Sequence, residues 1–525
     1  MIKGVSISIT MLLVVAILPV TGLWSQQVML PLSNTYTKAY EQHLAGEGKI
    51  IAGLKPVLIN GHTLDSLMIH YATGRNQHMP DGWLGRKFRY EHLVEVAEDD
   101  LFLRVDPGFN FEVSNKYDAL GRRLYTNSRG INVYGNLGGR VFFESSFYET
   151  QSNFPVYMDS VVSKRGDLNS PLDPERGAVP GYGPWKHYNT SSSYAYDYTL
   201  VTGSMGVKLN SRSYLRFGHM KEFVGFGYRS LLLSDAASPY LALQKHLEFF
   251  EGRVTWHTTW AALQSLERIA PSYNYKEPGY QRYSGRFSYL EFNPHQRVRA
   301  GIFEGSTWRW KHNSRPVNNA FYVPIPFTTF GSGVYNHILG VNAALMPLKG
   351  LMAYGQMSTN LKTSSNAIQL GVKLTGLPKN FQLTMEYNFV GEGYQYSPAD
   401  DTNRFVIVEP LQPRTNALNY YQHNDMMLAH PMGVNLKEYI IRLDYNWRRF
   451  GVLVALNRVT QLPALLPTRI NFRQFEVGYL INPSMSAKIV FGVIERSEIR
   501  TAASHHEIYP YISLKTNLFN RYMDF

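Results

Sequence analysis

The sequence predicts an all-β fold: a transmembrane β-barrel of the outer-membrane kind, with about 18 antiparallel strands behind a small mixed N-terminal segment. Three observations predict it. From residue 101 onward apolar and polar residues alternate with a period of two. The connections between the alternating segments are alternately tight and long. A candidate export segment opens the chain, and no later stretch holds the run of apolar residues that a spanning helix needs.

Residues 1–25 read as a secretory signal, with Lys3 as the positive end, an apolar stretch from Val5 to Ile17, and Pro19 and Gly22 breaking the helix. Cleavage is expected after Ser25 or Gly22; an uncleaved anchor is the alternative. Residues 26–100 differ from the rest. They carry Tyr36–Leu44, a mixed stretch from Leu58 to Tyr71 and the acidic run Glu98–Asp100, and they suggest a partly helical periplasmic or lumen-plugging segment. Residues 101–525 are then the barrel.

Strand geometry puts alternate residues on opposite faces. Leu101, Leu103, Val105, Phe109, Phe111 and Val113 are expected on one face, with Arg104, Asp106, Asn110 and Glu112 on the other. In 366–390 a hairpin sets Ile368, Leu370, Val372 and Leu374 against Gln369 and Lys373. Tyr439, Ile441, Leu443, Tyr445 and Trp447 alternate with Glu438, Arg442, Asp444 and Asn446. An amphipathic helix would space its apolar residues three and four apart, which these do not.

Tight connections are expected at Asn136–Gly139, Leu209–Arg212, Glu251–Gly252, Asn293–Gln296, Met346–Lys349, Gly376–Asn380, Arg448–Arg449 and Asn482–Ser484. Longer ones fall at 114–123, 150–193, 221–243, 267–282, 309–335, 361–365, 391–436, 459–469 and 497–506. Short turns on one rim and long extracellular loops on the other suit a barrel whose apolar face meets lipid. A soluble β-sandwich would explain the alternation but not this asymmetry. The C-terminal stretch, where Ile512, Leu514, Thr516 and Leu518 alternate with Tyr511, Ser513, Lys515 and Asn517, reads as a last strand closed by Phe525.

Composition removes several function classes. Without cysteine there is no disulfide, thiolate metal site or thiol nucleophile. A net charge of +12 could suggest nucleic acid, but the 52 basic residues are scattered rather than striped, so no nucleic-acid partner is expected. No phosphate loop, metalloprotease helix or serine elbow occurs; Gly225–Phe226–Gly227 lacks the rest of a dinucleotide loop. His505, His506 and Glu507 are expected at a solvated loop end, and His423 and His430 at the surface. No catalytic residue, cofactor or metal ligand is assigned. Two loops are aromatic: 150–193, with Tyr182, Trp185 and Tyr188, and 391–436, with Tyr394, Tyr396, Tyr420 and Tyr421. Such rings beside amides and charges can stack on sugars, or they can pack into a cap over the barrel mouth. Both uses are compatible.

Residues Arg216–Tyr240, RFGHMKEFVGFGYRSLLLSDAASPY, and Ser288–Gly305, SYLEFNPHQRVRAGIFEG, resemble the Wzi-type capsule-assembly outer-membrane proteins, most closely the gliding-motility-associated RemB-like members of the Bacteroidota. Leu101–Val113, Leu124–Glu149 and Leu428–Tyr445 support the resemblance. It implies a non-enzymatic barrel that organises surface polysaccharide, or adhesion and gliding machinery. Its candidate partners are outer-membrane lipid, surface polysaccharide and motility or secretion-system proteins. The shared segment holds His219, Gly225, Gly227, Arg229, Ser230, Ser234 and Asp235 as candidate loop residues. From the residues alone, a porin or transporter with a polar lumen and a barrel hydrolase acting on lipid or glycan remain as alternatives.

Overall fold

The computed structural model describes residues 26–73, 82–118, 121–163, 177–190, 193–268, 280–309, 334–376, 379–395, 421–462, 467–500, 504–516 and 519–525. Among these, eighteen antiparallel strands close into one barrel. The wall begins with β1 (Leu101–Tyr117), β2 (Arg123–Leu137), β3 (Val141–Asn153), β4 (Ser193–Asn210), β5 (Ser213–Met220) and β6 (Tyr240–Phe249). It continues through β7 (Val254–Arg268), β8 (Tyr280–His295), β9 (Val298–Arg309), β10 (Val334–Leu348), β11 (Leu351–Asn360) and β12 (Ser365–Thr375). The last six are β13 (Phe381–Val390), β14 (Leu436–Trp447), β15 (Phe450–Gln461), β16 (Thr468–Asn482), β17 (Ala487–Ile499) and β18 (Ser504–Thr516).

Each strand pairs with its sequence neighbour, and the seam closes where Tyr511–Lys515 pairs with Ser114–Asn110. Closure gives every wall strand two partners, which a solvent without hydrogen-bonding capacity requires. Below that seam, the short strand Val94–Ala97 pairs with Val105–Phe102. The eight expected tight turns all fall between consecutive wall strands. The opposite rim is less uniform than its sequence suggests. Strands run past the expected ends at 114–123, 459–469 and 497–506, and the connection at 361–365, barely longer than a tight turn, lies between Asn360 and Ser365.

The alternation maps onto the two faces as expected. Phe111, Val113, Leu370, Val372, Tyr439 and Ile441 are exposed on the outer face, while Arg104, Asp106, Gln369 and Glu438 are buried inside. At the tight-turn rim the outer face carries Phe250, Phe292, Trp447, Phe450 and Tyr479, an aromatic girdle of the kind found at membrane interfaces. No described helix is long and apolar enough to cross a membrane.

Residues 26–73 enter the tight-turn end of the lumen. Helix α1 (Asn34–Glu47) starts at Ser33, whose Oγ accepts the Thr35 N–H, and stops at Gly48 in the left-handed region. Its inward face is pinned to the wall. Tyr36 donates to the Ser484 carbonyl at 3.1 Å, Lys38 pairs with Asp444 at 2.7 Å, and Glu41 pairs with Lys373 at 2.9 Å. Helix α2 (Gly61–Thr73) follows, with the Asn60 side chain accepting the His62 N–H.

The C-terminal end departs from expectation. The last wall strand stops at Thr516, and residues 519–525 turn back into the lumen, with Phe525 buried there. The reason is polarity. Asn520, Arg521 and Asp524 bond to Asp235, Glu112 and Arg229, partners that a lipid-facing strand would not offer.

Candidate functional site: the filled lumen

The segment between β5 and β6, residues 221–239, folds inward rather than out. Phe223 and Val224 pair with Lys55 and Leu54 of the N-terminal segment, so loop and plug share a two-stranded ladder inside the barrel. Gly225 donates its N–H to the Gly53 carbonyl at 2.8 Å. Two glycines allow this approach. A Cβ on Gly225 would stand 2.8 Å from Gln356 Nε2, and one on Gly227 would stand 2.1 Å from Glu386 Oε2.

Past Gly227 the backbone is received by wall carboxylates. Glu386 accepts the N–H groups of Tyr228 and Arg229 at 2.8 and 3.1 Å, together with the Tyr354 hydroxyl at 2.9 Å. The Arg229 guanidinium then bridges Glu438 of β14 at 3.0 Å and Asp524 of the C-terminal segment at 2.9 Å. His430 holds the other oxygen of Glu438 at 2.8 Å, and Asn457 donates to Asp524. The rings of Tyr228 and Tyr522 flank the guanidinium at 4.9 and 5.7 Å. Three separate stretches of chain thus meet in one buried cluster. Removing either member of such a pair costs about 3–5 kcal/mol, because the other charge is stranded out of water.

The rest of the loop is apolar or tied by its own hydroxyls. Ser230 donates to the Val224 carbonyl and accepts the N–H groups of Leu232 and Leu233. Leu231, Leu232 and Leu233 are fully buried in a cluster that includes Ala261, Phe287, Phe303, Ile338, Val390 and Val459 from across the wall. Ser234 donates its N–H to the Leu428 carbonyl, and Asp235 accepts from Tyr522 and Asn520. A second cluster on the other side joins Leu124, Leu200, Phe472 and Ile494 of the wall to Met158, Tyr182, Tyr522 and Phe525. Between the plug and the wall remains a polar cavity of about 290 Å³, lined among others by Lys38, Arg442, Asp444, Glu476, Lys488 and Lys515.

Burial acts on the titratable groups held inside. It draws the Lys55 ammonium down to about 8, although its Nζ donates to the Gly225 carbonyl. It likewise lowers Lys221 to about 8 and His423 to about 3, so that His423 is neutral. The neutral ring accepts the Gln264 N–H at Nδ1 and donates from Nε2 to the Pro239 carbonyl. His423 and His430, expected at the surface, are therefore interior residues. Loop 421–434 carries them inward because backbone carbonyls and Glu438 are there to receive them. His505 and His506 are exposed as expected, but they stand on β18, paired with Glu498 and Ser497 of β17, and not in a loop.

The candidate residues separate cleanly. Gly225, Gly227, Arg229, Ser230, Ser234 and Asp235 come together in the lumen. His219 does not. It sits on the outward-facing register of β5, with Nδ1 2.7 Å from the Val201 carbonyl. Among the aromatic candidates, Tyr182, Trp185, Tyr394 and Tyr421 are all buried. Trp185 packs edge-on against Tyr196 and donates to the Val162 carbonyl of the short helix Val156–Ser163. Tyr394 and Tyr421 donate to the carbonyls of Leu231 and Leu232. Their packing is that of a cap and a loop brace. Tyr188 lies on the strand Gly183–Thr190 and pairs through its backbone with Ala195, while Tyr396 and Tyr420 fall outside the described residues. Sequence reasoning missed Glu386 and Asp524. Glu386 was legible only as one more inward-facing polar residue, and Asp524 had no signal.

The sequence matches no known family model and no curated protein sequence. Structural comparison does find solved structures of similar fold. One solved structure, Wzi of Escherichia coli, described as a carbohydrate-binding β-barrel involved in group 1 capsule assembly, aligns over 94% of this chain and 100% of its own, with a TM-score of 0.53 and 11% identity. The fold is Wzi-like. Two further solved structures align less well: OccAB2 of Acinetobacter baumannii over 79% of this chain and 97% of its own (TM-score 0.41, 9% identity), and OpdK of Pseudomonas aeruginosa, solved with vanillate, over 79% and 98% (TM-score 0.43, 11% identity).

Proposed function

We propose that this protein is a non-enzymatic outer-membrane barrel that organises surface polysaccharide, with a lumen closed to free diffusion. The filling of the lumen carries the reading. Loop 221–239 is locked through Arg229 to Glu438 and Asp524, and buried side chains from β5 to β16 pack onto its three leucines. A general porin keeps a polar, water-filled lumen; here apolar packing and paired charge occupy that space. The Wzi-like fold and the carbohydrate binding described for Wzi support a polysaccharide ligand, held at the outer rim above the aromatic cap. The finer assignment to gliding or adhesion rests on the sequence resemblance to RemB-like proteins.

Two experiments test the reading. In planar bilayers the refolded protein is expected to give no large steady conductance; such a current would restore the channel alternative. Glycan-array binding is expected for at least one surface polysaccharide, and binding to none would count against the ligand. A deletion strain scored together for capsule retention and surface spreading separates the capsule role from the motility role.

A further inference from the structure

Helix α3 (Trp83–Arg89, sequence WLGRKFR) presents an apolar face that no part of the described chain covers: Trp83, Leu84 and Phe88 are 60%, 74% and 68% exposed. At helical spacing these three fall within an arc of about 140°, with Arg86 and Arg89 on the opposite side. Lys87 shares the arc but turns its ammonium back to Glu91 and the His92 carbonyl. Soluble surfaces seldom group three large apolar side chains this way, since each would gain about 1.5–3 kcal/mol from burial.

A helix of seven residues is not stable alone. This one is held at its C-terminal end, at the tight-turn rim. Asn482 donates to the Lys87 and Glu91 carbonyls, Ser484 donates to the Tyr90 carbonyl, and the Arg449 guanidinium covers the Tyr90 ring at 4.8 Å. The same sector of the rim carries Trp447, Phe450 and Tyr479 of the outer girdle. The chain then runs from α3 into the barrel wall itself. In the strand Val94–Ala97, Val94 lies opposite Val105 and Val96 opposite Leu103 on the outward face, while Glu95 reaches inward to Arg104. The helix α3 is thus joined to a strand whose Val94 faces outward, in a sector of the rim that carries girdle aromatics.

Charge agrees with this placement. Within Trp83–Leu93 the basic residues are Arg86, Lys87 and Arg89, against Glu91 alone, which pairs with the first two. We infer that α3 is an interfacial anchor: its Trp83–Leu84–Phe88 face lies in the phospholipid leaflet at the tight-turn rim, and its arginines lie level with the headgroup phosphates. Short basic amphipathic helices with Trp, Phe and Leu on one side favour this boundary. The anchor would tie the N-terminal segment to the membrane beneath β15–β18 and fix the plug relative to the wall.

The inference rests on the barrel spanning a membrane, and the test separates the two. Because the chain has no cysteine, single nitroxide labels can be placed without altering native residues elsewhere. The full-length protein in phosphatidylcholine nanodiscs, with and without phosphatidylglycerol, would carry labels through Leu84→Cys, Phe88→Cys, Arg89→Cys or the wall control Phe491→Cys. The expected result is higher accessibility to oxygen than to a nickel chelate at 84, 88 and 491, with the reverse at 89. Labels at 84 and 88 that favour the nickel chelate while 491 remains in lipid overturn the anchor and leave the barrel standing. Labels at 84 and 88 shielded from both reagents also overturn it, because they place the face against protein. A water-exposed label at 491 overturns anchor and barrel together.

Discussion

Arg229 Nη2 lies 2.9 Å from Asp524 Oδ2, a contact between residues 295 positions apart that joins an inward loop to the C-terminal segment. The same nitrogen lies 3.0 Å from Glu438 Oε1 on the wall. All three side chains are buried, so each charge depends on the others for its solvation. This cluster ties three stretches of chain together inside the barrel, and its loss has directional consequences.

Arg229→Ala is expected to destabilise the closed loop by about 3–5 kcal/mol, since Glu438 and Asp524 are left as buried neighbouring anions. The variant should show channel openings in planar bilayers that the native protein lacks. Asp524→Asn should act in the same direction but more weakly, because Glu438 still faces the guanidinium. Equal, silent traces from all three proteins would remove the cluster from any gating role.

Gly227→Ala should be costlier than its size suggests. The added Cβ would sit 2.1 Å from Glu386 Oε2, the carboxylate that receives the next two backbone N–H groups. A cost of about 1–3 kcal/mol is expected, of the order found for overpacking. The check is the temperature at which the folded barrel loses its compact electrophoretic mobility, compared with native protein.

Lys55 predicts a pH profile. Its folded pKa is near 8 against an ordinary 10.5, so below pH 8 both states bind the proton and the folded state bears the full cost of burying it. Between about 8 and 10.5 the unfolded state holds more protons, and stability rises with pH through that window. The gain is at most ~3 kcal/mol. Thermal unfolding of Lys55→Met beside the native protein isolates this slope from tyrosine ionisation, and the variant should lose it.

Trp185→Ala should loosen the mouth rather than remove a single sugar contact. The indole is buried against Tyr196 and bonds to the Val162 carbonyl, so truncation should cost about 3–5 kcal/mol locally. Faster proteolysis within 154–190, with the wall intact, is the expected readout. Unchanged proteolysis would mean that the cap does not depend on this ring.

The wall was legible in the sequence because its pattern is local. A strand with one face in lipid and one inside must alternate, and the segments from Leu101 to Val113, Ile368 to Leu374 and Glu438 to Trp447 carry that requirement residue by residue. The tight turns at Arg448–Arg449 and Asn482–Ser484 were legible for the same reason. The interior was less so. Inward polar residues such as Glu386 and Glu438 announced a polar face but not their partners, because the pairing of Glu438 with Arg229 spans 209 positions and has no local period. His423 and His430 misled because polar loop residues are usually solvated, and only the filled lumen offers them carbonyls and a carboxylate.

By itself, then, the sequence determined the barrel, its strand number and its tight rim, all consequences of side-chain alternation and turn chemistry acting over a few residues. Only the tertiary structure decided that loop 221–239, α1 and the C-terminal segment turn inward, that Phe525 is a lumen residue rather than the end of the wall, and that α3 leaves its apolar face at the rim. Those outcomes depend on which buried charge meets which partner once the cylinder has closed. Closure brings together residues hundreds of positions apart, and the free energy of their meeting is written in no short stretch of chain.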